Sequence, residues 1–157
     1  MNTVATLALA LASMTPPQKE KAEMVILMNC VAQIESGLDY AGKGDGGKAV
    51  GAWQMHISAW STANQWRSAH GMEVIKRSDW RVPENQKAMA FAYLSWCREQ
   101  LVKAGIVEPS PQQIYMAFAY GFSAYKKCDL DLEKCPVGKQ YDAKRVQNIF
   151  DELVNAK

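Results

Sequence analysis

The chain has 157 residues, the length of one domain with a single core rather than two. Hydrophobic residues at 48% and charged residues at 22% match an ordinary globular composition, which excludes a disordered or low-complexity chain. A net charge of +2 is too small a surplus for the footprint that tight nucleic-acid binding needs, so no nucleic-acid partner is expected.

In chain order, residues 1–14 open the sequence with an apolar run. It resembles a short secretory h-region but has no Lys or Arg ahead of it, and it is too short to span a bilayer, which takes about 20 apolar residues. Val4, Leu7, Leu11 and Met14 recur at helical spacing, so the favoured reading is a first helix packed on the domain. The remainder, 15–157, reads as one domain with no internal repeat, linker or membrane-spanning segment.

Thr15 followed by Pro16 and Pro17 is a helix start and Gly37 a natural stop, which predicts a helix over 16–36. Glycines then crowd 37–56, around Asp45-Gly46-Gly47 and the stretch Ala49 to Trp53, as expected of an irregular loop with a small hairpin. Helical periodicity returns over 57–70. A long helix is expected over 84–104, and Ser110-Pro111 opens another over 111–126. The last covers 141–156. The fold class is therefore mainly α, with one glycine-rich excursion after the 16–36 helix.

Four cysteines lie outside any C-x-x-C spacing, so no metal and no cofactor is expected. Cys30 and Cys97 fall on apolar helical faces and read as buried thiols. Cys128 and Cys135 flank a short acidic loop and are spaced for a local disulfide in an oxidising compartment. Neither His56 nor His70 is spaced for a nucleophilic triad with a Ser or Cys.

One carboxylate stands apart. Met24, Leu27, Met28 and Val31 form a stripe at i, i+3, i+4, i+7, and its next step is Glu35. Bordering the core and sitting at the negative end of the helix dipole both raise a carboxyl pKa, and a Glu held protonated near neutral pH serves as a general acid. Periodicity alone favours a helix end turned into solvent, with Glu35 an ordinary surface charge.

The surroundings of Glu35 carry a resemblance. Ile34-Glu35-Ser36-Gly37, a glycine-rich loop and then Gly51-Ala52-Trp53-Gln54-Met55 resemble the lysozyme superfamily, most closely its lytic transglycosylase and goose-type lysozyme branch. The similarity continues through Pro83-Glu84-Asn85-Gln86 and Ala92-Tyr93-Leu94, then Ala119-Tyr120-Gly121, then Tyr141 with Arg145-Val146, covering about 20–155. Gly121 stands where that family carries an Asn that helps to hold substrate. Lys48 stands where many relatives carry Ser, placed to pair with Glu35 and lower its pKa.

The resemblance implies a lysozyme-like helical domain that cleaves the β-1,4 bond between N-acetylmuramic acid and N-acetylglucosamine, with Glu35 as acid. Peptidoglycan is then the partner, and the protein is a monomer acting at the bacterial cell wall or periplasm, phage-encoded or exported, with no stable membrane insertion. Gln54 is expected in the cleft, Met55 beneath the sugar, and Ser36 beside Glu35 as orienting group or helix cap. Trp53, Tyr120 and Tyr141 are candidates to stack on sugar faces, whereas Trp60, Trp66, Trp80 and Trp96 read as core. Asp45 is the candidate second carboxylate, with Asp39 behind it; an Asp-Gly pair serves a plain turn just as well. In lytic transglycosylases the substrate's own N-acetyl oxygen replaces the second carboxylate. The alternative reading is a non-catalytic lysozyme-like module that binds glycan or a partner protein within a phage particle or secretion apparatus.

Overall fold

The computed structural model describes residues 9–155. Most of the expected 1–14 helix thus lies outside the described residues. Of its remainder, 9–12 are helical and Leu11 is buried.

Helix α1 runs Pro16–Ser36. Two prolines occupy its first turn, where their missing N–H groups cost nothing, and the Thr15 N–H donates to Gln18 Oε1 at 3.0 Å. It stops at Gly37, whose φ of 65° lets its N–H and that of Leu38 turn back onto Gln33 and Ala32. The predicted stripe Met24, Leu27, Met28, Val31 is buried along its whole length.

Next comes a two-stranded antiparallel hairpin, β1 (Lys43–Gly44) and β2 (Ala49–Val50), pairing Lys43 with Val50 and Gly44 with Ala49 across a 3-10 turn at Asp45–Gly47. Helices α2 (Ile57–Ala69) and α3 (Pro83–Lys103) follow and pack on each other, and α3 also packs on α1. The chain then forms α4 (Pro111–Met116), α5 (Phe122–Lys127) and α6 (Val137–Val154), with α6 packed on α1 and α4. The domain is mainly helical with one small sheet, as its sequence pattern predicts.

Two boundaries differ from expectation. The 111–126 stretch is not one regular helix, because Ala117–Gly121 widens into a π-helical turn between α4 and α5. Gly121 leaves that turn at φ 90°, a conformation that disfavours a side chain. The last helix begins at Val137 rather than near 141, since Pro136 supplies the non-helical cap that releases it.

The core joins α1, α2, α3, α4 and α6 through Leu27, Val31, Trp60, Met89, Leu94, Met116 and Val146. Trp60, Trp66 and Trp80 are buried as expected; Trp96 is half-buried, stacked on Tyr93 at 5.7 Å. All four cysteines are free thiols, with Cys30, Cys97 and Cys135 buried. No helix of the described residues is long and apolar enough to cross a membrane.

Candidate active site

Glu35 occupies the last turn of α1, one step beyond the buried stripe, so its side chain borders the core on one side and an open cavity of about 390 Å³ on the other. The same cavity is lined by Asp45 and Gln54 from the hairpin region and by Tyr120 and Gly121 from the π-turn. Met55 and Phe118, both buried, form apolar wall beside the carboxyl, and Lys139 of α6 closes one edge. A larger cavity of about 460 Å³ lies against the outer end of α1. Two of its carboxylates, Glu20 and Glu23, are already paired with Arg98 at 2.9 Å and Lys19 at 3.7 Å, leaving them unsuited to acid chemistry.

The Glu35 carboxyl has one side-chain hydrogen-bond partner, the Tyr115 hydroxyl, which donates to Oε1 at 2.7 Å. Burial pushes the Glu35 pKa above its ordinary 4.5. The Tyr115 hydrogen bond and the charge of Lys139 pull it down, Asp142 adds to the rise, and burial prevails. The Tyr115 phenol is itself driven far upward, first by burial and then by the Glu35 charge, so it remains a donor at every physiological pH. Tyr115 occupies Oε1, which leaves Oε2 as the oxygen for a proton when the carboxyl is neutral.

Two non-glycine residues of the cavity wall sit in left-handed backbone, Asp45 at φ 48° and Gln54 at φ 47°. Such conformations cost free energy and persist where surrounding structure imposes them. At Gln54 the cause is visible. Its Nε2 donates to the Gly51 carbonyl at 2.9 Å, and its Oε1 lies so close to Gly44 that any Cβ there would strike it. Asp45 Oδ2 faces His56 Nε2 at 3.5 Å, a pairing at the cavity rim that sequence spacing did not suggest. The π-turn spreads its residues so that Phe118 through Gly121 all reach the cavity; π-turns inside helices are frequent at functional sites.

Glu35, Asp45, Gln54, Met55 and Tyr120 are therefore brought together around one cavity. Four expected binding residues are not. Trp53 is buried at 1% exposure, and its Nε1 donates to the Met28 carbonyl at 2.7 Å, so it anchors the loop to α1 and presents no face to a sugar. Gly51 lies outside the cavity lining. Its φ of 74° and the Gln86 amide packed against it make it a packing glycine. Ser36 donates to the Ala52 carbonyl at 2.8 Å and accepts from the Asp39 N–H at 3.0 Å, fastening the loop rather than orienting Glu35. Tyr141 is 64% exposed under the Arg145 guanidinium, 5.6 Å from its ring, and does not line the cavity.

Lys48 is likewise corrected. It forms no ion pair with Glu35, and the cation that acts on that carboxyl is Lys139. Asp39 caps its own turn by accepting from the Ala41 N–H at 2.9 Å. Tyr115 was missed altogether. Its signal was a phenol within the apolar run Ile114 to Phe118, since a buried Tyr needs a partner for its hydroxyl. No group of three or more metal-ligating side chains occurs among the described residues.

No family model matches the chain, and no curated protein or solved structure is significantly similar to it.

Removing the phenol tests its hold on Glu35. In Tyr115→Phe the carboxyl loses a donor that favours its charged form, so its pKa rises further. An NMR pH titration of the Glu35 carboxyl checks it, and an unmoved midpoint would remove Tyr115 from the carboxyl's environment.

Proposed function

We propose that the protein is a peptidoglycan-cleaving glycosidase, a lytic transglycosylase or lysozyme-type hydrolase, with Glu35 as its general acid. The observation that carries this reading is a half-buried carboxyl with an upward-shifted pKa, held by a phenol and opening onto a cavity that also presents Asp45, Gln54 and Tyr120. Support also comes from the ordered motifs Ile34-Glu35-Ser36-Gly37, Gly51 to Met55 and Ala119-Tyr120-Gly121, which resemble those of lysozyme-like enzymes.

Cleavage begins with the protonated Glu35 giving its Oε2 proton to the glycosidic oxygen as the C1–O bond breaks. Positive charge then develops on the anomeric carbon. In the hydrolytic route Asp45, the other carboxylate of the cavity, balances that charge or activates water. In the transglycosylase route the N-acetyl oxygen attacks C1. Glu35, now ionised, then takes the proton of the muramyl 6-hydroxyl as that oxygen closes on C1 and displaces the N-acetyl oxygen, which restores the acetamide and regenerates the acid. Gln54 donates one Nε2 N–H to the Gly51 carbonyl, which leaves the other to hold the substrate's N-acetyl carbonyl.

Digestion of purified sacculi followed by mass spectrometry of the soluble fragments tests the reading. Disaccharide fragments are expected. Anhydro ends assign the transglycosylase route and reducing ends the hydrolytic one, while sacculi left intact by the folded protein overturn the proposal.

A further inference from the structure

Successive residues of a strand face opposite sides, and β1 has only two. Gly44 faces Gln54 and hence the Glu35 cavity. Lys43 faces away, and on its side lies a separate concavity of about 330 Å³ lined by Tyr40, Ala41, Lys43, Trp80 and Arg81. Its lining contains no carboxylate. Lys43 Nζ stands 6.0 Å and the Arg81 guanidinium 4.9 Å from the centroid of the Trp80 ring, and Lys87 Nζ stands 5.8 Å from that of Tyr40.

None of these three cations has a carboxylate within 4.0 Å among the described residues. Of the acids near them in sequence, Asp39 accepts from the Ala41 N–H, Asp45 faces His56 and Asp79 accepts from the Ser78 hydroxyl at 3.0 Å. Cations stacked on ring faces keep their outward N–H donors unused, and the rings give an apolar floor. The combination suits a ligand with a carboxylate beside aliphatic groups, since charge-assisted hydrogen bonds and contact with the rings act together.

We propose that this concavity binds the carboxylate-bearing peptide branch of the wall polymer while the glycan occupies the Glu35 cavity. The assignment of the branch rests on the peptidoglycan reading above. Reach permits it, because one strand separates the two sites and an extended tripeptide spans roughly 10 Å.

The test titrates the free tripeptide alanyl-γ-glutamyl-diaminopimelate, without sugar, into isotope-labelled protein. Amide shift changes at 40–43 and 80–82 are expected, with affinity lowered at least tenfold in the double variant Lys43→Gln/Arg81→Gln, whose exposed substitutions leave the melting temperature unchanged. No shift changes, or inorganic phosphate binding as tightly as the peptide, overturns the proposal. A second arm compares intact sacculi with glycan strands stripped of peptide. The double variant should lose the wild type's preference for peptide-bearing glycan. Wild-type protein that cleaves neither substrate defeats the glycosidase reading, whereas equal preference in wild type and variant defeats the peptide site alone.

Discussion

Glu35→Gln is expected to slow the clearing of a purified cell-wall suspension by roughly 10²- to 10⁴-fold, the range that a positioned general acid contributes. The amide has the carboxyl's shape, and its oxygen still accepts from Tyr115, so the cavity keeps its form while the transferable proton is gone. Stability changes in the opposite sense. Burial raises the folded pKa of Glu35 above 4.5, so between 4.5 and that raised value the folded chain binds more protons than the unfolded one. Stability from this group is therefore lost as pH rises through that window. The Gln variant escapes the loss, and its melting temperature should fall less from pH 4 to 8 and exceed that of wild type at neutral pH. Equal clearing rates would end the acid assignment. Parallel melting curves would show instead that Glu35 is solvated.

The helices of this domain were legible because each is bounded by local chemistry: Thr15-Pro16-Pro17 before α1, Gly37 after it, Ser110-Pro111 before α4. The same locality explains the Glu35 assignment, since the stripe and its terminal carboxylate belong to one helix. What the sequence concealed is non-local. Tyr115 meets Glu35 across 80 positions of chain, and no periodicity within α4 announces that pairing. Trp53 reads as a sugar-stacking candidate because aromatics with polar tips often stack, yet its indole is buried and tied to the Met28 carbonyl of α1. The π-turn was also invisible, because Ala117 to Gly121 has an ordinary helical composition and the widening depends on how Gly121 leaves it. Glu35, Gln54, Met55 and Tyr120 line one cavity, but the sequence pattern did not tell which residues around them face it and which hold its wall in place.

Gln86 belongs to the second kind, and Gln86→Leu is expected to lower the melting temperature by about 10–20 °C. Gln86 is the one buried polar side chain among the described residues. Its Oε1 accepts from the Ala52 N–H at 2.9 Å, and its Nε2 donates to the carbonyls of Tyr40 at 2.8 Å and Trp80 at 2.7 Å. Three loops are thereby fastened to α3. Leucine fills nearly the same volume but strands one donor and two acceptors, at about 1–3 kcal/mol each, or roughly 3–9 kcal/mol together. That is a large fraction of the 5–15 kcal/mol typical of a domain, and at roughly 2–4 °C per kcal/mol it gives the expected shift. A fall of less than about 3 °C would show that water replaces the amide. Hydrogen exchange at the Ala52 N–H distinguishes that outcome, since protection is lost only if the loop comes free. Wall-clearing activity should fall with it even below the melting range. Gln54 and Met55 of the cavity wall lie two and three residues from Ala52, so losing its tie to Gln86 loosens that wall, with Ser36 and Trp53 left as the loop's remaining anchors.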